Sequence, residues 1–279
     1  MLHYVFMLLC LPTAMWAAFA IEAKVVTLDP ETRTVELEIL QSAEAEFTVG
    51  EKATCRVSRG DLEIGSLGRR IRANATFYNK TWHLEQIFPL DGAGAEAVAL
   101  VNRMFHRDTA AMKRGQFVRQ GDAMPNFGMI DHNGKFVQLQ ELAGTPYVMN
   151  FIFTRCKAPT MCPASSTRMA ELQQAARAAG LDALHFVTVS FDPAFDSPGI
   201  LRTYAQGYGI ELNNFHLLTY SQELIDDLLR QVGILTIEED GTINHTMATL
   251  LVDAAGRVAL RKEGPNWKVD DFLQAAQAL

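Results

Sequence analysis

Residues 151–165 read FIFTRCKAPTMCPAS, in which an apolar strand runs into a loop that carries two cysteines. Pro163 follows the second cysteine, and its fixed backbone angle and missing amide hydrogen suit the first position of a helix. We therefore expect Cys162 at the N-cap of a helix, where the positive end of the helix dipole lowers the pKa of a thiol. The segment predicts a strand, a reactive loop and a helix, in that order.

Around this segment, from residue 115 to residue 279, apolar runs alternate between strand-like and helix-like spacing. Alternating strands and helices imply an α/β domain with a largely buried sheet. The last two strands are separated by a short turn and are expected to form an antiparallel hairpin on that sheet. The predicted strands are 147–153, 183–191, 215–218, 247–253 and 258–262, and the predicted helices are 165–179, 197–208, 221–232 and 269–279.

Residues 21–90 lack a helical period and contain several short strand-like runs. The turn at 29–32 joins the first two of these runs as a hairpin. We expect a small antiparallel β-barrel or sandwich here, followed by a linker and connecting helix at 91–114. Cys55 lies within one predicted strand, where a buried thiol that packs as a small apolar group is favoured over a ligand.

Residues 1–20 are expected to be a signal peptide or an uncleaved membrane anchor. No Asp, Glu, Lys or Arg occurs before Glu22, and the small-residue pattern that ends at Ala20 predicts cleavage before Ile21. The apolar run is also just long enough to cross a bilayer. Either alternative predicts an exported protein, periplasmic or membrane-anchored and facing the periplasm, with Cys10 in the leading segment.

The charge balance limits the partners of the chain. The 279 residues include 25 Lys and Arg against 32 Asp and Glu, a formal net charge of -7. This balance argues against nucleic acid as a ligand, because neutralising phosphates needs a basic surface. Membrane contact is expected only through the possible N-terminal anchor. Four cysteines are too few for a small disulfide-stapled scaffold.

Cys156 and Cys162, with five residues between them, allow three kinds of chemistry. A structural disulfide would close only a short surface loop and would stabilise the fold little. A dithiol oxidoreductase and a soft-metal site remain open as alternatives, and Arg155 and Lys157 beside Cys156 favour a thiolate for either. A metal needs a further ligand, for which His245 is the best candidate.

His245 lies between a predicted turn and the buried strand at 247–253, so it can face the strand end that carries the thiols. His185 and His216 lie in apolar runs and are interpreted as strand residues. Two thiolates suit Cu(I) and an added imidazole suits Cu(II), with an open position left for transfer. A structural zinc would normally need a fourth protein ligand, and none is obvious.

Several further motifs follow one another in order from Gly115 onward. They are GDAMPNF at 121–127, the turn DHNG at 131–134, the cysteine segment, VSFDP at 189–193, DSP at 196–198 and NH at 244–245. With these motifs the chain resembles the SCO/SenC family, thioredoxin-fold proteins of respiratory copper delivery, whereas the N-terminal β domain lies outside the resemblance. The loop between the cysteines is longer than the usual family spacing and resembles a bacterial longer-loop variant.

The resemblance implies a thioredoxin-like fold for residues 115–279 and one copper ion bound by Cys156, Cys162 and His245. Asp192 matches a family position near the site, without a ligand role. The resemblance also implies a copper metallochaperone that delivers copper to a respiratory cuproprotein, such as a cytochrome c oxidase subunit. The alternative is a thiol-disulfide oxidoreductase with Cys156 and Cys162 as its redox-active pair and a thiol redox partner. A chaperone is favoured over an enzyme.

Overall fold

The computed structural model describes residues 18–43, 45–239 and 242–279. Most of the predicted signal peptide or anchor, including Cys10, lies outside these residues. Phe19 and Ala20, the last two residues of that segment, belong to the first strand, β1 (Phe19–Asp29). Within the described part of the chain, no helix combines the length and the apolar character needed to cross a membrane.

The N-terminal strands close into a barrel, one of the two architectures expected from the sequence. Its other strands are β2 (Thr34–Ser42), β3 (Lys52–Arg56), β4 (Arg70–Tyr78) and β5 (Thr81–Pro89), in the order β1-β2-β3-β5-β4. Alternate side chains point inward, so Val25, Leu37 and Ala75 form part of a buried core. Neighbouring strands are antiparallel, except that β3 pairs with β5 in parallel, at Arg56 and His83. The sequence pattern does not predict this parallel pair.

Two helices precede the C-terminal domain in the sequence. The short α1 (Arg59–Leu62) connects β3 to β4, and α2 (Ala95–Ala110) follows β5. Gly94 precedes α2 with a φ of 86°, a left-handed conformation that glycine adopts without strain. Val98 and Phe105 are the buried apolar residues of α2, and the Phe105 ring packs against Phe127 in the C-terminal domain.

The C-terminal domain contains a seven-stranded sheet of order β14-β13-β8-β9-β10-β6-β7. The three central strands, β8 to β10, are parallel, and the strands on either side of them pair antiparallel. A separate two-stranded hairpin joins β11 to β12. The strands are β6 (Gly128–Asp131), β7 (Phe136–Gln138), β8 (Tyr147–Ile152), β9 (His185–Ser190), β10 (Phe215–Thr219), β11 (Thr236–Glu239), β12 (Thr242–His245), β13 (Ala248–Val252) and β14 (Val258–Glu263).

Helices cover both faces of this sheet. Successive residues of β8 point to opposite faces, so Val148 and Met149 belong to different apolar clusters. The Val148 cluster contains side chains from α3, α4 and α6, and the Met149 cluster contains side chains from α2 and α5. The helices are α3 (Cys162–Ala178), α4 (Pro198–Gly207), α5 (Gln222–Val232) and α6 (Val269–Gln277), with a short 3₁₀ helix at Leu139–Leu142.

The structure confirms the predicted α/β alternation and the final β13–β14 hairpin. It differs at α3, which begins at Cys162 rather than at residue 165. The β11–β12 hairpin is also new. Its strands are four residues each, and Ile237 is largely exposed, so no buried apolar run marks them in the sequence. Short strands without a core face leave little periodic signal.

The barrel meets the C-terminal domain at a joint between α1 and α4. Gly60 and Gly199 approach so closely that a Cβ atom added to Gly199 would lie 2.8 Å from the backbone nitrogen of Asp61. One turn further along α4, Arg202 Nε donates a hydrogen bond to Glu63 Oε2 at 2.6 Å. The joint therefore depends on the absence of a side chain at Gly199 and on one bridging arginine.

Replacing Gly199 with alanine is expected to destabilise the protein by about 1–3 kcal/mol, because the methyl group must displace both the carboxylate and the backbone of Asp61. Gly207→Ala is a matched control in the same helix, since no atom lies within 4 Å of its added Cβ. This control should change stability by no more than about 1 kcal/mol. Urea unfolding of both variants measures the difference, and equal midpoints would contradict the close contact.

Candidate metal centre

The cysteine loop, residues 153–161, leaves the carboxyl end of β8 and is fixed at its start by two buried aspartates. Asp196 accepts a hydrogen bond from the backbone nitrogen of Thr154 at 2.9 Å and another from the Thr154 hydroxyl. Asp192 accepts a hydrogen bond from Arg155 Nε at 2.7 Å. These contacts set the direction in which the chain leaves the strand, and so they position the first cysteine.

The role of Asp196 is not evident from the sequence, although its motif contributes to the family resemblance. The pKa of its carboxyl is raised to about 6, because the effect of burial exceeds the lowering by hydrogen bonds from Ser190 and Thr154. The Ser190 hydroxyl donates to the same carboxylate, so Asp196 ties the end of β9 to the start of the cysteine loop. It lies beside the site as a positioning residue.

The two sulfur atoms of the site differ in exposure. Cys162 is the first residue of α3 and is fully buried, whereas Cys156 is half-buried in the loop. Both are free thiols. The Cys156 sulfur lies 3.9 Å from the carbonyl oxygen of Ala158, a weak contact that holds the thiol within the loop.

Two expectations about the start of α3 are wrong. Met161, and not Cys162, occupies the N-cap position. Burial raises the pKa of the Cys162 thiol, because the charged thiolate loses its water there, and backbone hydrogen bonds offset this only in part. Arg155, expected to favour a thiolate at Cys156, pairs with Asp192 and lies over the Phe195 ring at 5.1 Å.

His245 is the last residue of β12 and reaches the site from a distant part of the chain. Its Nδ1 lies 2.9 Å from the Thr246 carbonyl oxygen, which can only accept, so Nδ1 carries the hydrogen. The lone pair of Nε2 is then directed towards Cys162, whose sulfur is 3.4 Å away. The rings of Phe153 and Phe191 enclose the imidazole, with centroids at 5.8 Å and 4.7 Å.

Burial lowers the pKa of His245, although the hydrogen bond to Thr246 raises it. A lowered pKa keeps the ring neutral at pH 7, which is the form that binds a metal. The carbonyl group of Thr246 also orients the ring, as outer partners of metal-binding histidines commonly do. The neutral charge and the fixed orientation of the ring suit a ligand that is preorganised for metal binding.

The donor atoms of Cys156, Cys162 and His245 all lie within 4.8 Å of one another. Donors that share an ion at bond lengths of about 2.0–2.3 Å lie at most about 4.6 Å apart, so small adjustments would bring all three to one ion. Among the described residues, no other cluster of three or more His, Cys, Asp or Glu side chains offers such a group. The structure therefore brings together all three donors that the sequence predicts.

The remaining candidates lie elsewhere. His185 and His216 are strand residues, as expected. Their rings contact each other, and His185 Nδ1 lies 3.2 Å from His216 Nε2. His185 begins β9, so this pair lies at the end of the sheet opposite the cysteine loop. Cys55 is buried in the barrel core, and burial raises the pKa of its thiol to about 12.

The central parallel strands, the helix that starts at a cysteine and the donors at the strand ends define a thioredoxin-fold protein with a candidate metal site. A family model described as SCO1/SenC matches residues 117–270, which is more than half of the chain. The chain therefore belongs to the SCO1/SenC family. The barrel strands lie outside the matched range.

Individual relatives agree with this assignment. The chain is 30% identical to the SCO1 protein homolog of Bacillus subtilis over 152 residues, which are 53% of this chain and 77% of that protein. It is 28% identical over 139 residues to a protein of Stutzerimonas stutzeri provisionally named as copper-binding, covering 48% of this chain and 66% of the relative.

A solved structure is also similar. BsSco, described as a member of the Sco family of cytochrome c oxidase assembly proteins with a disulfide switch, is 27% identical with a TM-score of 0.51. The similarity covers 58% of this chain and 96% of BsSco. The fold of the C-terminal domain is thus that of a known Sco protein.

The two thiols should differ in reactivity. With iodoacetamide at pH 8, Cys156 is expected to react at least about tenfold faster than Cys162, because burial both shields the second thiol and disfavours its thiolate. Peptide mapping by mass spectrometry at successive times gives both rates. The Cys156→Ser variant isolates the slow thiol as a control, and faster modification of Cys162 would contradict the geometry.

Proposed function

We propose that Cys156, Cys162 and His245 bind one copper ion. The proposal is supported above all by the convergence of these three donors within 4.8 Å. Thiolates are soft ligands that favour Cu(I), and a neutral imidazole also binds Cu(II), so this set can hold both oxidation states. The relative from Stutzerimonas stutzeri, provisionally named as copper-binding, is consistent with this ion.

A site of this kind suits transfer better than permanent storage. Three protein donors leave a coordination position open, whereas a structural zinc site normally closes with four. Cys156 is only half-buried, so a partner can approach the ion from the loop side while Cys162 and His245 hold it from within.

We therefore propose a copper metallochaperone whose recipient is a respiratory cuproprotein, such as a cytochrome c oxidase subunit. The description of BsSco as a member of a family of cytochrome c oxidase assembly proteins supports this recipient. An exported location, periplasmic or membrane-anchored and facing the periplasm, is part of the proposal. It rests on the apolar composition of residues 1–20.

Copper titration of the reduced protein in the absence of oxygen tests the site. The wild type should bind one Cu(I) per chain, and the Cys156→Ser/Cys162→Ser variant should bind none against a competing chelator, because both soft ligands are gone. His245→Ala should retain Cu(I) on the dithiol. Losing a group that hydrogen-bonds to a metal ligand typically weakens metal binding by about 10- to 100-fold, so losing the ligand His245 itself should weaken Cu(II) binding by more than that.

His106→Ala provides the matched control. His106 is an exposed histidine of α2 whose Nδ1 lies 2.7 Å from Asp227 Oδ2, and it takes no part in the donor cluster. This variant should bind both forms of copper like the wild type. Unchanged Cu(II) spectra in His245→Ala, or tight Cu(I) binding by the double serine variant, would contradict the proposal.

A thiol-disulfide oxidoreductase is the second candidate, favoured by two free thiols whose sulfurs lie within 4.8 Å of each other. The disulfide switch described for BsSco is consistent with such a pair. Reduction of insulin disulfides by the reduced protein measures this activity. Cysteine-dependent turnover without copper binding would favour the oxidoreductase, whereas copper binding without turnover would favour the chaperone.

A further inference from the structure

The histidine pair, His185 and His216, lies at the end of the sheet opposite the cysteine loop. His185 is the first residue of β9, and His216 is the second residue of the parallel strand β10. β9 contains six residues, and a strand rises about 3.3 Å per residue, so the pair lies about 15 Å or more from the cysteine loop. The pair therefore cannot share an ion with Cys156 and Cys162.

The two imidazoles of the histidine pair face each other through ring nitrogens. His185 Nδ1 lies 3.2 Å from His216 Nε2, and the ring planes differ by only 13°. Two nitrogens this far apart that bind one ion at about 2.0–2.1 Å subtend an angle of roughly 100–106° at the ion. Rotation of the two rings would direct both lone pairs to that ion. The angle suits the tetrahedral geometry that Zn²⁺ adopts in proteins.

The histidine pair is open to solvent and to a change of tautomer. Both side chains are half-buried, and within the described part of the chain their mutual contact is the only hydrogen bond of either ring. In the neutral pair one hydrogen lies between the two facing nitrogens. An ion replaces it when that hydrogen exchanges through water to the outer nitrogen of the same ring, His185 Nε2 or His216 Nδ1. Both rings stay neutral, so no net proton is released.

The charges around His216 favour a cation. Burial and the His185 ring lower the pKa of His216, whereas the carboxylates of Asp131 and Glu141 raise it. Asp131 ends β6, which pairs with β10, and Glu141 lies in the short 3₁₀ helix. A metal ion brings positive charge to a half-buried place, where attraction between charges is stronger than in water. The two carboxylates that stabilise a charged imidazole therefore also stabilise a bound ion.

We propose that His185 and His216 bind one Zn²⁺ ion. Imidazoles suit Zn²⁺, whereas a pair without thiolates does not select Cu(I). Water fills the two tetrahedral positions that the protein leaves open. With only two protein donors the ion is not a structural zinc, which normally has four, and it exchanges with the solution. The proposal does not depend on copper binding by Cys156, Cys162 and His245.

Isothermal titration calorimetry of the Cys156→Ser/Cys162→Ser protein with zinc chloride tests this site, because the variant lacks the thiols that zinc would bind first. It should bind one Zn²⁺ with a Kd of about 0.1 mM or lower. Adding His185→Ala or His216→Ala should weaken binding by at least about tenfold, since each removes a ligand. His106→Ala, which removes an exposed histidine beside two carboxylates, is the matched control and should leave zinc binding unchanged.

Labelling of histidines with diethylpyrocarbonate tests the same site on the wild type, so the test stands even if a variant does not fold. At about 1 mM Zn²⁺ a site with a Kd near 0.1 mM is empty about one time in eleven, so labelling of His185 and His216 should slow by about tenfold. Labelling of His106 should not change, and peptide mapping by mass spectrometry measures all three rates.

Two results would overturn the proposal. One is labelling of the histidine pair at the same rate with and without Zn²⁺. The other is zinc binding that survives both His185→Ala and His216→Ala, or that is lost in His106→Ala instead.

Discussion

The contact between the Cys162 sulfur and His245 Nε2, at 3.4 Å, joins two parts of the chain that are 83 residues apart. It exists because the parallel strands β8 and β9 align their carboxyl ends, with β13 as the next strand on the other side of β8. The cysteine loop leaves one of these ends, and the β11–β12 hairpin brings the histidine to the same edge. A donor set for one ion therefore forms only in the folded domain.

The segment between β9 and α4 connects this site to the rest of the molecule. Asp192 and Asp196 hold the start of the cysteine loop through Arg155 and Thr154. A few residues later, Gly199 packs against α1 of the barrel. The same short segment thus contacts the cysteine loop on one side and the N-terminal domain on the other.

Much of the fold and all three donors can be predicted from the sequence, because apolar periodicity, Pro163 after Cys162 and ordered motifs are local signals. The environment of Cys162 cannot be predicted in this way. A helix start suggests a lowered pKa, but burial by residues distant in sequence raises it. The supporting role of Asp196 is likewise tertiary, since Thr154 is its partner from 42 positions away. The β11–β12 hairpin escapes prediction because its strands are short and partly exposed.

X-ray absorption at the copper K-edge of the Cu(I)-loaded protein tests the central claim most directly, because it identifies the atoms bound to the metal. The account predicts two sulfur neighbours and one nitrogen neighbour, with the nitrogen lost in His245→Ala. A spectrum with two sulfurs and no nitrogen, or one unchanged by His245→Ala, would contradict the shared site.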